Sequence, residues 1–240
     1  MKIVVISDIH ANLEALKALP EWGDELWVLG DLVDYGPNPR EVVSLLRSRA
    51  GIVIRGNHDQ AVGFDDDPRC NLRYRRMALE TRDLAIQSMN GDLARYLQQL
   101  PLRRTVERDG KKFYLCHAAP SDPLYSYCSE NSERWAHEVQ EIEADYLLVG
   151  HTHIPFIRKQ GSTTIVNPGS LGQPKTGKSD ACYAIWCDDH FELKQFAYPF
   201  NETLRKVEQL PVSQEVKRDL EAVLVSGPWL MTEREHSCRS

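Results

Sequence analysis

Five of the eight histidines in this 240-residue chain sit in short polar motifs that also carry aspartate or asparagine. The motifs are Asp8-Ile9-His10, Gly30-Asp31, Gly56-Asn57-His58-Asp59, His117, and Gly150-His151-Thr152-His153. Each directly follows an apolar run: Lys2 to Ile6, Leu26 to Leu29, Ile52 to Ile54, Phe113 to Cys116 and Tyr146 to Val149. Nitrogen and oxygen donors gathered at strand ends suit a pair of divalent metals. Neutral imidazoles mixed with carboxylates match Mn, Fe, Zn or Ni, whereas a Mg or Ca site would be almost all oxygen. Asp8/His10 and His151/His153 are separated by one residue, which points both side chains to one side wherever the chain is extended. One tripeptide then reaches the metal pair twice. A carboxylate has two oxygens, and Asp31, alone between the first and third motifs, is the natural bridge.

In this order and over this span, the five motifs resemble the calcineurin-like metallophosphoesterase superfamily. The wording Ser7-Asp8-Ile9-His10-Ala11-Asn12, Gly30-Asp31-Leu32-Val33-Asp34-Tyr35-Gly36-Pro37 and Asn167-Pro168-Gly169-Ser170-Leu171-Gly172-Gln173-Pro174 is similar to its small bacterial and archaeal phosphodiesterase branch. Together with ligand chemistry, the resemblance implies Asp8, His10, Asp31 and His153 for one metal and Asp31, Asn57, His117 and His151 for the other. It also implies His58 as the acid facing the leaving group; Asp59, the next residue, reads as the group that fixes its tautomer.

The activity so implied is hydrolysis of a small, nucleotide-like phosphodiester by in-line attack of a metal-bridging hydroxide. The cofactors are two divalent transition-metal ions, manganese first, with Fe, Zn or Ni as alternatives. Asn12, Arg55 and Lys175 are the candidates for holding phosphate oxygens, Lys175 standing where the branch commonly has arginine. Asn12 has a plain reading as a helix cap, and Arg55 as a salt-bridge partner behind the turn. Two other enzymatic readings are a phosphomonoesterase and a dinucleoside-polyphosphate hydrolase. Protein phosphatases of the superfamily carry an arginine where this chain has Tyr35 and a glutamate where it has Asp59, which weighs against that activity. A noncatalytic binding scaffold is the third reading, disfavoured because every ligand position is filled.

The elements that must position these residues follow from the apolar pattern. The first 60 residues read as two β-α-β units, with ligands beyond the carboxyl ends of the strands. Asn38-Pro39-Arg40-Glu41 has the form of a helix start. Residues 61–101 read as a helical insertion covering the site, its long helix starting at Asp65-Asp66-Asp67-Pro68 and running to about Met89. Asp109-Gly110 marks a hairpin, a helix begins at Asn131, and strands recur at 145–149, 154–158, 163–166, 181–187 and 191–198, suggesting a second, largely antiparallel sheet. The expected fold is a four-layer α/β/β/α sandwich with two central mixed sheets and a helical insertion, one domain over 1–240. Residues 201–240 form a C-terminal helix, broken at Pro211, and a loose tail from Gly227.

Composition fits such a domain, with 42% hydrophobic and 27% charged residues. A net charge of -6 disfavours stable nucleic-acid binding, which depends on basic residues neutralising phosphates, but leaves a nucleotide substrate open. No run approaches a membrane span and no leader precedes the first strand, so the expected location is cytoplasmic, with no membrane partner. The six cysteines, Cys238 among them, form no C-x-x-C pair and read as reduced and structural. His137, His190 and His236 read as surface residues. Arg69, Arg73 and Arg76, at helical spacing, read as a solvated face paired with Asp65 to Asp67 and Glu80 rather than as a substrate-steering patch. Oligomeric state is open.

Overall fold

Apolar residues alternate along the first strand, β1 (Ile3–Ile6), and divide between two cores. Ile3 and Val5 face one core and Val4 and Ile6 the other, as the two-residue period of a strand requires. In the computed structural model, which describes residues 1–226, β1 is the centre of a five-stranded sheet of order β10-β9-β1-β2-β3. Its partners are β2 (Glu25–Val28), β3 (Ile52–Val53), β9 (Ala181–Cys187) and β10 (His190–Phe196). The β1/β2 and β2/β3 pairings are parallel, and β1/β9 and β9/β10 antiparallel. The second sheet, of order β4-β5-β6-β8-β7, comprises β4 (Arg103–Arg108), β5 (Lys111–Cys116), β6 (Tyr146–Leu148), β7 (Phe156–Gln160) and β8 (Thr163–Asn167). It too is mixed: β5/β6 and β6/β8 are parallel, β4/β5 and β7/β8 antiparallel.

The sheets meet face to face over Ile3, Val5, Trp27, Phe113, Leu148 and Trp186. Helices α1 (Leu13–Lys17) and α2 (Pro39–Arg49) cover the outer side of the first sheet. Trp135 of the short helix α6 (Trp135–Glu138) packs on Leu147, Phe156 and Ile165 outside the second. The result is the four-layer α/β/β/α sandwich.

Three expectations are corrected here. Strands β9 and β10 extend the first sheet rather than the second, because the register of β9 on β1 completes the inner face with Ala184 and Trp186. The helix expected from Asp65 starts later: α3 (Asn57–Phe64) ends at Asp65, which is left-handed at φ 54°, and α4 (Leu72–Ser88) is capped by Asn71. Asp66 and Asp67 use their carboxylates on nearby backbone N–H groups, a local alternative to helix. The helix expected at Asn131 likewise begins at Trp135.

Helix α5 (Gly91–Gln99) completes the insertion, and α7 (Phe200–Glu208) and α8 (Gln214–Ser226) flank Pro211 as expected. Tyr35, Met77 and Ala78 pack with Val216 and Leu220, so α4 and α8 lean on the loop after β2. Cys70, Cys116, Cys128, Cys182 and Cys187 are free thiols. The expected tail from Gly227, with His236 and Cys238, lies outside the described residues.

Candidate metal centre

The first, second and fifth motifs lie just beyond β1, β2 and β6, but not on extended chain. Asp8, His10, Asp31, His151 and His153 all have left-handed backbone, with φ of 53°, 45°, 54°, 64° and 63°. Such a conformation costs about 1–3 kcal/mol for a non-glycine residue, and persists where surrounding structure dictates it. This corrects the alternation argument: Asp8 and His10 converge because each sits at a tight kink. The kinks are locked by cross-loop bonds, Asp8 N to Gly30 O at 3.1 Å, His10 N to Asp31 O at 3.0 Å and Gly172 N to Asp8 O at 3.1 Å. Gly150 permits a close approach of the first and fifth motifs, since a Cβ there would lie 2.0 Å from Ser7 Oγ.

Seven ligand-type residues converge on two adjoining groups. Asp8, His10 and His153 form one cluster, and Asp31, His117 and His151 the other. Asn57 joins the second, its Oδ1 lying 3.2 Å from His117 Nε2 and 3.1 Å from His151 Nδ1. Asp31 Oδ2 stands between the clusters, 3.2 Å from His117 Nε2 and 3.8 Å from His10 Nε2.

The donors fit divalent metal. His10 Nδ1 donates to Val33 O at 3.0 Å and His153 Nδ1 to Gln173 O at 2.7 Å, because a carbonyl can only accept. Both Nε2 atoms then carry lone pairs when the rings are neutral, yet face each other at 3.2 Å. A cation between them removes that repulsion. Asp8 Oδ1, buried with no hydrogen-bond partner, lies 3.5 Å from His153 Nε2 and asks for the same cation. His117 Nδ1 is fixed in turn by Leu29 O at 2.7 Å, the carbonyl orientation usual for ligating imidazoles.

Electrostatics report the same need. Burial pushes the Asp8 carboxyl up to about 7 and the His10 imidazole down to about 3. His151 and His153 are held well below the usual histidine range, again by burial. Burial also resists charge on Asp31 and His117. The histidines around Asp31, His117 foremost, outweigh it and hold that carboxyl low, while Asp31 raises His117 to about 9.

His58 is buried beside this centre, its ring edge-on to His10 at 5.1 Å between centroids. Its Nδ1 is 2.7 Å from Asp34 Oδ2, not from Asp59. This corrects the expected partner. His58 and Asp59 are consecutive in the first turn of α3, so their side chains diverge by about 100°. Asp59 turns back onto the helix start, accepting from Gly56 N at 2.9 Å, Asp31 N at 2.8 Å and Leu32 N at 2.8 Å. It fixes the Asp31 loop and does not touch the His58 ring through any hydrogen bond. Sequence reading missed Asp34 although it lies in the same motif as Asp31, because only the fold brings it to His58.

Of the three candidate phosphate-holding residues, two are engaged elsewhere. Asn12 has its full hydrogen-bonding capacity committed: it caps α1 through Ala15 N, accepts from Thr203 Oγ1, and donates to Gly172 O and Tyr198 Oη. The Arg55 guanidinium donates to Gln98 O at 3.1 Å and lies 4.9 Å from the Phe64 ring centroid, turned to the insertion. Lys175 lies over the Tyr74 ring, 5.0 Å from its centroid, and within electrostatic reach of Asp8 and Asp31. The insertion touches the site through Pro68, whose carbonyl accepts from Asn57 Nδ2 at 2.8 Å. Arg76 is paired with Glu215 and Asp219 of α8, and Arg75 with Asp67.

Residues 1–189 match the calcineurin-like phosphoesterase superfamily domain, and the chain belongs to that family of phosphoric ester hydrolases. It is 31% identical over 228 residues to an uncharacterized protein of Methanocaldococcus jannaschii, covering 85% of this chain and 91% of that one. The crystal structure of a metallophosphoesterase from Sphaerobacter thermophilus superposes with a TM-score of 0.78 at 28% identity, covering 92% of this chain and 99% of the other. A symmetrical bis(5'-nucleosyl)-tetraphosphatase of Vibrio parahaemolyticus is 28% identical over 59% of this chain, a match that spans about half of that enzyme (52%).

Proposed function

We propose that this protein is a dinuclear-metal-dependent phosphodiesterase acting on a small, nucleotide-like phosphodiester, within one domain over residues 1–240 that carries its insertion at 61–101. The observation that carries the reading is the pair of ligand clusters sharing Asp31 Oδ2. Asp8, His10, Asp31 and His153 would hold one ion, and Asp31, Asn57, His117 and His151 the other, manganese being the first choice. Two such ions, when bound, would supply Lewis-acid activation of water and neutralise charge developing at phosphorus.

The chain's own residues supply the rest. Asp34 holds the His58 tautomer and favours its protonated form. Burial opposes the charge on that imidazole, but Asp31 and Asp34 together raise its pKa. A charged His58 can give its proton to the departing ester oxygen. Lys175 remains as the cation for a phosphate oxygen, while Asn12 and Arg55 serve structure.

Preference for a diester is supported by Tyr35. Its ring packs against His10 at 4.8 Å and His58 at 4.9 Å between centroids, and burial pushes its hydroxyl pKa well above the usual range. No guanidinium occupies that place to neutralise the second charge of a monoester. The partial resemblance to a symmetrical tetraphosphatase supports a second reading, a dinucleoside-polyphosphate hydrolase. Among the described residues no helix is long and apolar enough to cross a membrane; a cytoplasmic location is part of the proposal. The test is to strip the protein, reload it with Mn, Fe, Zn or Ni, and compare bis(p-nitrophenyl) phosphate with p-nitrophenyl phosphate. Metal-dependent turnover favouring the diester is expected. Equal or faster monoester turnover would select a monoesterase, and no hydrolysis with metals bound would contradict the reading.

A further inference from the structure

Threonine is a weak helix former, because its branched side chain is stiff and its hydroxyl competes for backbone groups. Thr81 nonetheless stands inside α4, 3% exposed. Its single hydroxyl proton is committed to Met77 O, one turn back at 2.7 Å. The oxygen is thereby an acceptor of fixed direction, and it takes the N–H of Tyr35 at 2.9 Å. This bond crosses from the insertion to the loop after β2. Helix α4 is itself anchored next to Thr81, where Glu80 accepts from Ser213 N at 2.7 Å and Ser213 Oγ at 3.0 Å at the entry to α8.

The two ends of that loop are held by other motifs. Asp31 N donates to Asp59 at 2.8 Å, Asp31 O accepts from His10 N at 3.0 Å, Val33 O accepts from His10 Nδ1 at 3.0 Å, and Asn38 N donates to Ala11 O at 3.0 Å. Asp34 and Tyr35 lie between these ties in successive left-handed conformations, with φ of 67° and 60°. Two non-glycine residues keep such a shape only where their surroundings impose it. Among the described residues, the hydrogen bond that reaches their backbone from outside the loop is the one to Thr81. The Asp34 carboxylate has little else to guide it. Its Oδ2 meets His58 Nδ1 at 2.7 Å, while Oδ1 is buried without a hydrogen-bond partner. Its aim at His58 is therefore set by the backbone that carries it.

We propose that Thr81 is a positioning residue for the reaction: by fixing the backbone at Tyr35 it aims Asp34 at the His58 imidazole. The insertion is then a working part of proton delivery and not a cover alone. The role in turnover rests on the phosphodiesterase reading above, with His58 as its acid.

Two readouts on the same variants test this. The first is the downfield proton resonance of His58 Nδ1–H in the zinc-loaded protein, assigned by its loss in His58→Ala. Thr81→Val removes the acceptor at similar size and should shift or broaden this resonance at unchanged metal content. Thr81→Ala should do the same, and Thr81→Ser, which returns the hydroxyl, should restore it. The second is a leaving-group series. Thr81→Val should lose about tenfold with poor leaving groups, a part of what a general acid contributes, and little with p-nitrophenolate. Added to Asp34→Asn it should cost nothing further, because residues acting through one contact are not additive. A resonance unchanged in both Thr81→Val and Thr81→Ala, or losses that add in the double variant, would overturn the proposal. Absence of turnover by the metal-loaded wild type would remove the diesterase reading instead, and the resonance would still decide whether Thr81 aims Asp34.

Discussion

Asp34 and Asp59 divide the work that sequence proximity would give to Asp59 alone. Asp34 faces the His58 imidazole, while Asp59 holds three backbone N–H groups. The two substitutions should therefore fail differently. Asp34→Asn keeps the shape but loses the charge that favours a protonated His58, so turnover of esters with poor leaving groups should fall about tenfold or more with melting temperature little changed. Asp59→Asn turns an amide NH2 toward at least one backbone donor and should cost about 1–3 kcal/mol of stability. Thermal denaturation beside kinetics reads both, and the opposite pattern would return the orienting role to Asp59. At the shared ligand, Asp31→Asn should lower the affinity for both metals together with the fold retained. Two ions still bound per chain at wild-type affinity would show that Asp31 is not shared.

At the scale of elements, the site depends on loops pressed together more closely than side chains normally allow. A Cβ at Gly56 would lie 2.1 Å from Asp31 Oδ1 and 2.4 Å from Asp31 N. Gly56→Ala must push the Asp31 loop away from α3, so metal content should fall along with stability, by about 1–3 kcal/mol as for other overpacked sites. Wild-type metal content in this variant would mean that the loop can yield without consequence. Most of this frame was legible in the sequence. Apolar runs ending in polar motifs located β1, β2, β3, β5 and β6, and the expected ligand set came from residue type together with the family resemblance. What was not legible depends on tertiary contact. The left-handed kinks at Asp8 and His10 are imposed by backbone bonds to the Gly30–Leu32 loop. The start of α4 was hidden because Asp65 to Asp67 resemble caps but satisfy turns, and Asn12 could not be separated from a phosphate ligand until Thr203 and Tyr198 were seen beside it.

Across the whole molecule, the two candidate ligand clusters draw their residues from loops of both sheets, so the sheets must keep one relative position. At the end of β2 opposite Asp31, Glu25 spans the gap to Arg108 of β4 with contacts of 2.6 and 3.2 Å, and accepts from Trp27 Nε1 at 2.8 Å. Arg108 foremost holds the Glu25 carboxyl below its ordinary value of 4.5. A depressed folded pKa gives stability that is present above the unfolded value and lost as pH falls through the folded one. Arg108→Gln should thus cost up to about 1 kcal/mol near neutral pH, and this difference should shrink below the ordinary glutamate value. A difference constant from pH 7 to acid would assign the loss to packing. The central claim, that loops of both sheets assemble a metal-dependent diesterase in which His58 protonates the leaving oxygen, is tested most directly by a leaving-group series for wild type and His58→Ala. The metal-loaded variant should lose about 10²- to 10⁴-fold with poor leaving groups such as a ribose alkoxide, and far less with p-nitrophenolate, at unchanged metal content. An equal loss across the whole series would contradict it.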